Sequence, residues 1–281
     1  MTTTIAAPRP APTRSPLPTG LKVTGRRVAR AEWAKLWSLR SSWITLGVGL
    51  LLLLAFGTIA ALQFRSSLTS GRPMDADFAG ATTHTLALFG VPFALIALGV
   101  LGVLTTSGEY TTGMIRSTLA AVPRRLPVLW AKASVYGAVA FAVGAAGAFI
   151  AFGVAGAILS GTPSAMTFSD DGVVASLFGV GVYLGLVGVI GVALGALLRS
   201  SAGGISALVG GFLLVPGLMS LLPRSWRTEI TPYLPSNAGE SIYTLTHGTG
   251  SLSAGAGLLV LLGWTVLALA GAAYRLKRSD A

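Results

Sequence analysis

Long apolar runs alternate with short polar connections along this chain. Six runs reach or approach the length of about 20 apolar residues that a helix needs to cross a bilayer core: residues 43–62, 85–105, 131–159, 173–198, 205–222 and 252–274. The third is long enough to tilt or to project beyond the bilayer. The second carries Pro92 and the short fifth carries Pro216. Prolines are tolerated in such helices where neighbours satisfy the freed backbone groups. The pattern predicts an all-α polytopic membrane protein with both termini on one side. One transmembrane domain covers 21–281, after a Pro-, Thr-, Ala- and Arg-rich tail over 1–20 that reads as disordered. The first apolar run is too long for the core of a signal peptide and has no clear cleavage site after it.

Two connections carry a helical pattern of their own. Over 21–40, Ala29, Trp33, Leu36 and Trp37 share one face, with Arg26, Arg30 and Arg40 beside it and Lys35 away from it. This is the signature of an interfacial helix lying along a leaflet; a plain basic flank orienting the first span is the compatible, simpler reading. Between spans two and three runs GEYTTGMIRSTLAAVPRR, residues 108–125. Ile115, Leu119 and Val122 recur at the spacing of one helical face, and Pro123 ends the pattern. A short amphipathic helix held between two spans is predicted, against the alternative of a solvated basic loop. Glu109 is the single acid of this connection. It reads either as a carboxylate that pairs with a nearby arginine or meets a partner, or as an exposed boundary charge. The connection over 223–251 holds Trp226, Tyr233, Ile242, Tyr243 and Leu245. That is too apolar for a simple loop, and a partly re-entrant or surface-lying pair of short helices suits it.

Charge settles the orientation expected for these spans. The formal net charge is +11, but only 10% of the 281 residues are charged and the mean hydropathy is +0.75. A soluble domain carries about 25% charged residues. Sixteen of the 20 lysines and arginines fall on the side of the termini, and six of the nine acids fall on the other. By the positive-inside rule both termini are expected in the cytoplasm. The basic excess thus reads as a topology signal, not as a nucleic-acid surface. Trp33, Trp37, Trp43 and Trp130 lie near the inner boundaries, where indole rings prefer the headgroup level. Trp264 lies mid-span and reads as packing.

Several chemistries are missing. There is no cysteine, hence no thiolate metal site. No GxxxxGK[ST] phosphate-binding loop occurs. His84 and His247 stand isolated in sequence and read as polar surface residues, so no metal site and no catalytic residue is expected. Ionisable groups avoid the span centres, where a charge costs at least about 2.5–3.5 kcal/mol and marks an ion relay. Span four instead carries glycines, Gly181, Gly185, Gly188, Gly191 and Gly195. They let helix backbones approach closely, within the chain or between subunits.

Three stretches carry a family resemblance: VARAEWAKLWSLRSSW before span one, TTSGEYTTGMIRSTLAAVPRRLPVLWAK between spans two and three, and YLPSNAGESIY before span six. Together they resemble bacterial type-2 ABC transporter permeases of the actinobacterial kind, from about Val28 to the last span. The resemblance implies six spans, an N-terminal interfacial elbow helix, a cytoplasmic coupling helix between spans two and three, and short outer helices before span six. It implies that 33–40, with Trp33, Lys35, Trp37 and Arg40, belongs to the elbow, and that 112–121 is the helix that docks on an ATPase. Glu109, Thr112, Ile115, Arg116, Leu119, Arg124 and Arg125 are the candidate contacts.

The expected function is the membrane subunit of an ATP-driven exporter in the bacterial plasma membrane. ATP and Mg would be held by a separate ATP-binding subunit, a second permease subunit would complete the path, and this chain would be neither an enzyme nor a cofactor carrier. The rivals are an ion-coupled secondary carrier, in which backbone carbonyls coordinate sodium, and a non-transporting assembly factor or sensor.

Overall fold

A computed structural model of the chain describes residues 24–70, 80–121, 125–246, 248 and 250–278. The expected disordered tail, Pro123, Arg124 and His247 lie outside these residues. Every regular element among the described residues is helical. Six helices are long and apolar enough to cross a membrane, so this is a multi-pass membrane protein.

The N-terminal helix α1 (Gly25–Ser38) turns at Leu39 into α2 (Arg40–Ser70), the first span. The second span is Thr83–Thr111. It begins as α3 (Thr83–Ala87), capped by the Thr82 hydroxyl, passes a 3-10 turn at Leu88–Gly90 and continues as α4 (Val91–Thr111). Pro92 sits in the first turn of α4, where its missing N–H costs nothing. After Gly113, whose φ of 73° stops α4, comes the short helix α5 (Met114–Ala121). The third span is α6 (Leu126–Leu159) and the fourth α7 (Val173–Leu198). The fifth, Ser201–Met219, is α8 (Ser201–Val209), a π-helical turn at Gly210–Leu214 and α9 (Val215–Met219). The π turn falls where Pro216 breaks the regular ladder, a local adjustment that re-satisfies the backbone. Helices α10 (Arg224–Ile230) and α11 (Pro235–Tyr243) precede the last span, α12 (Ala254–Arg278).

Most spans run several residues past their apolar runs. Hydropathy registers the hydrocarbon-spanning part alone, whereas the helical backbone continues into the headgroup zone, as α2 does through Arg65 to Ser70. The fourth span instead ends abruptly. Gly172 and Arg199 take left-handed conformations at φ 78° and 54° on either side of it. For arginine that conformation costs about 1–2 kcal/mol; the Arg199 guanidinium stacks on the Tyr110 ring, 5.0 Å from its centroid.

Helix α7 is the hub, packed against α4, α6, α11 and α12. Its glycines divide between two neighbours. A Cβ on Gly181, Gly185 or Gly188 would press on α6, at Ala145, Gly137 or Tyr136. A Cβ on Gly191 or Gly195 would meet the Gly99 carbonyl oxygen at 2.4 Å or that of Val103 at 2.5 Å, both on α4. The stripe therefore packs within the chain. The fifth span is held far more loosely, with Gly204, Leu208 and Phe212 its buried residues.

Helix α11 folds back against spans four and six, whereas α10 is exposed along its length. The Trp264 indole, about 15 Å along α12 at 1.5 Å per residue, donates to the Tyr233 carbonyl oxygen at 3.0 Å. Mid-span Trp264 is thus a hydrogen-bonded anchor for a dipping segment. Glycines make the fit: a Cβ on Gly239 would lie 2.0 Å from the Tyr183 ring, and one on Gly257 would lie 2.4 Å from the Ala238 carbonyl oxygen.

Close backbone approach at Gly191 gives a direct prediction. Gly191→Leu should lower the thermal unfolding midpoint in detergent, at an overpacking cost of about 1–3 kcal/mol. Gly47→Ala, with nothing within 4 Å of the added carbon, should leave the midpoint unchanged or raise it. Equal midpoints for the two variants would refute the close-packing account.

Candidate functional site

Four charged side chains meet where α1, α4 and α6 converge. Glu32 and Lys35 stand one turn apart on α1, the spacing at which helix neighbours pair, and lie 2.8 Å apart. Glu109 comes from the last turn of α4, and Lys132 from the second turn of α6. The Lys132 ammonium donates to Glu32 Oε2 at 2.5 Å and to Glu109 Oε1 at 2.8 Å. Lys35 donates to Glu109 Oε1 at 3.1 Å and to the Thr118 hydroxyl of α5 at 3.3 Å. One cluster thus ties four helices.

The cluster is largely dry. The side chains of Glu32, Glu109 and Lys132 are 4%, 5% and 8% exposed, and that of Lys35 is 30% exposed. Taking an ion out of water costs several kcal/mol, and only close partners with good geometry return it. Val28 packs against Val128 and Ala131 of α6, which seats α1 on that helix and places Glu32 over Lys132. Burial pulls the Lys35 ammonium down, but the hydrogen bond and charge of Glu32, followed by those of Glu109, outweigh it and hold Lys35 above its ordinary 10.5. Its contribution to folding is therefore complete below pH 10.5 and is lost as the pH rises through the raised value.

Val28, Glu32 and Leu36 are buried against the bundle, whereas Trp33 is 48% exposed. An exposed Trp33 is what a face turned to lipid shows; Leu36, expected on that same face, instead turns inward beside Glu32, whose carboxylate has a buried ammonium to meet. Trp37 lies between Trp33 and Trp43, edge-on to the first and tilted against the second with centroids 5.3 and 4.2 Å away, while Arg40 is exposed at the head of α2. Lys35, expected away from the apolar face, sits inside the cluster.

The candidate contact residues separate. Glu109 and Ile115 turn inward and are buried, Thr112 is exposed, and Arg125 is half-buried, donating to the Leu276 carbonyl oxygen at 3.3 Å. That last bond places the end of α12 at the same end of the bundle as α1. Arg116 and Leu119 lie on α5, but their side chains, like all of Arg124, are outside the described residues. Glu32 and Lys132 had no place among the expected site residues. Their signal is scarcity. Only three acids fall on the basic side of the topology, Glu32, Glu109 and Asp280, and only four residues of the chain are lysines.

At the opposite end, the reading of His84 as a surface residue is overturned. It is 3% exposed, and its Nε2 lies 2.5 Å from the Ser176 hydroxyl, which donates to the Tyr243 carbonyl oxygen. Spans two and four thereby grip α11. Among the described residues no group of His, Asp and Glu is placed to hold a metal ion. No protein-family model and no curated protein matches the chain.

The cluster can be dissected by a double-mutant cycle. Lys132→Met leaves two buried carboxylates facing each other and should cost about 3–5 kcal/mol in denaturant unfolding. Adding Glu109→Gln should recover part of that loss, with a coupling of about 0.5–3 kcal/mol. Additive losses would mean that the two side chains do not interact.

Proposed function

We propose that this chain is the permease subunit of an ATP-driven exporter, of the type-2 ABC kind that its sequence resembles. On this reading it sits in a bacterial plasma membrane with both termini cytoplasmic, as the skew of lysine and arginine supports. One observation carries the proposal. Helix α5, the proposed coupling helix, is joined through Thr118 and Lys35 to Glu109 at the end of span two, and through Glu109 and Glu32 to Lys132 near the start of span three. A displacement of α5 is thus delivered to α1 and to two spans at once.

The mechanism follows from that linkage. ATP and Mg belong to a separate ATP-binding subunit, which docks on the open side of α5. Thr112, Met114 and Ser117 are exposed there. Closure of the ATPase dimer pushes α5, the buried charges pass the push to spans two and three, and a path opens between this chain and a second permease subunit. Lipids, glycans, drugs and peptides are all within the substrate range of such exporters.

The test is co-purification in mild detergent. The tagged chain should retain an ATP-binding subunit. Met114→Asp and Ser117→Arg, both on exposed positions, should each release it with the permease still monodisperse. Retention in both variants would reject docking on α5. A single cysteine at Ser117 should resist an impermeant thiol reagent added outside intact cells; labelling from outside would reject the orientation, and an ion-coupled carrier would then be the better account.

A further inference from the structure

A cavity of about 360 Å³ opens beside the charge cluster. That is within the range of small-ligand sites, which run from about 300 to 1,000 Å³. All four charged side chains of the cluster line it, with Thr105 beside them, and Leu36, Val135 and Tyr136 form apolar walls. Leu39 and Leu104 also border it, and they are 53% and 40% exposed. Leu39 follows α1, and Leu104 lies two turns from the end of the second span. On the membrane reading of the spans, the border at these leucines faces acyl chains, while the exposed Thr112 and Met114 border the cavity on the α5 side.

The cluster has an unmet valence. Glu109 Oε1 accepts from both lysines, while Glu109 Oε2 is buried and has no hydrogen-bond partner. A buried carboxylate oxygen left without a donor costs more than an exposed one, because neither water nor protein solvates it. The two ammoniums balance the two carboxylates in number, but both reach Glu109 through Oε1, so its Oε2 is left without a cation. Thr105 commits its proton to the Gly102 carbonyl oxygen at 2.7 Å, which leaves its own oxygen as a further acceptor. Free acceptor oxygens thus lie beside the ion pairs, with apolar walls next to them.

We propose that this cavity is a binding site for an ammonium-headed amphiphile drawn from the adjoining leaflet, an ethanolamine phospholipid. Its primary ammonium donates to Glu109 Oε2, and its chains leave past Leu39 and Leu104. A choline head, with no N–H, cannot make that bond. The site does not depend on the ATPase reading, because it rests on the orphaned oxygen and the shape around it.

Native mass spectrometry of the purified, delipidated chain tests the site, with phosphatidylethanolamine and phosphatidylcholine of identical acyl chains added in turn. The wild-type chain should retain the ethanolamine lipid about tenfold more strongly, the scale of one hydrogen bond to a charged group. Glu109→Gln should abolish the preference. Leu104→Trp fills the border that faces acyl chains, leaves the charges untouched, and should abolish it as well, so that misfolding of the first variant cannot decide the matter. A single-chain alkylamine should displace the ethanolamine lipid where the matching alkanol does not. Equal retention of the two lipids by the wild-type chain would overturn the proposal and leave a water molecule as the partner of Glu109. Survival of the preference in Leu104→Trp would overturn it equally.

Discussion

The arrangement at one end of this bundle is governed by the cost of keeping Glu32, Glu109 and Lys132 out of water. No single helix can meet that cost. Each ion is neutralised only when α1, α4 and α6 stand in one register, and Lys35 adds α5 through Thr118. Apolar packing alone would let α1 slide or roll on α6, since Val28, Val128 and Ala131 form a small contact with little directional content. Hydrogen bonds of 2.5–3.1 Å between ions leave no such freedom. The charges thus contribute geometry more than net stability, the role best attested for buried ionic groups.

The spans were legible because a bilayer imposes length and apolarity on a continuous stretch of sequence. The fourth is bounded by left-handed Gly172 and Arg199, of which the arginine carries no stop signal in the sequence. The glycine stripe of α7 was legible as a packing surface, but its division between α6 and α4 was not, because the direction of a glycine face depends on what surrounds it. The cluster lay beyond local pattern altogether. Its partners are 74 and 100 residues apart, and hydropathy treats Lys132 as one more positive-inside charge. A helical wheel grouped Leu36 with Trp33 on the apolar face of α1 because it weighs apolarity and cannot see Lys132 waiting on α6. His84 failed for the same reason: isolation in sequence says nothing about Ser176 in space.

The two ends of the bundle are held by different chemistry. The charged end uses ion pairs, to which Arg125 adds one bond to the Leu276 carbonyl oxygen. The other end uses bonds to backbone carbonyl oxygens: Arg65 to that of Ile158, Ser176 to that of Tyr243, and Thr83 to that of Ser164 at 3.1 Å. Helix α11 packs in at that end, beside a polar cavity of about 410 Å³ bordered by Arg227, Asn237 and Glu240.

This contrast bears on how the molecule moves. An ion pair in a dry site loses several kcal/mol when it is pulled apart. A hydrogen bond to a carbonyl oxygen near the membrane surface exchanges for water at a net cost of about 0.5–1.5 kcal/mol. Rearrangement is therefore cheaper at the carbonyl-bonded end. The fifth span, with three buried residues and a π turn in its middle, is the element with least to lose. Under the exporter reading, a push on α5 enters through a stiff junction, travels along spans two and three as nearly rigid rods, and is relieved where α11 and the fifth span give way. A cluster that resists deformation is thus the condition for motion at the far end. Had the charged end been the softer one, the same push would have been absorbed where it arrived.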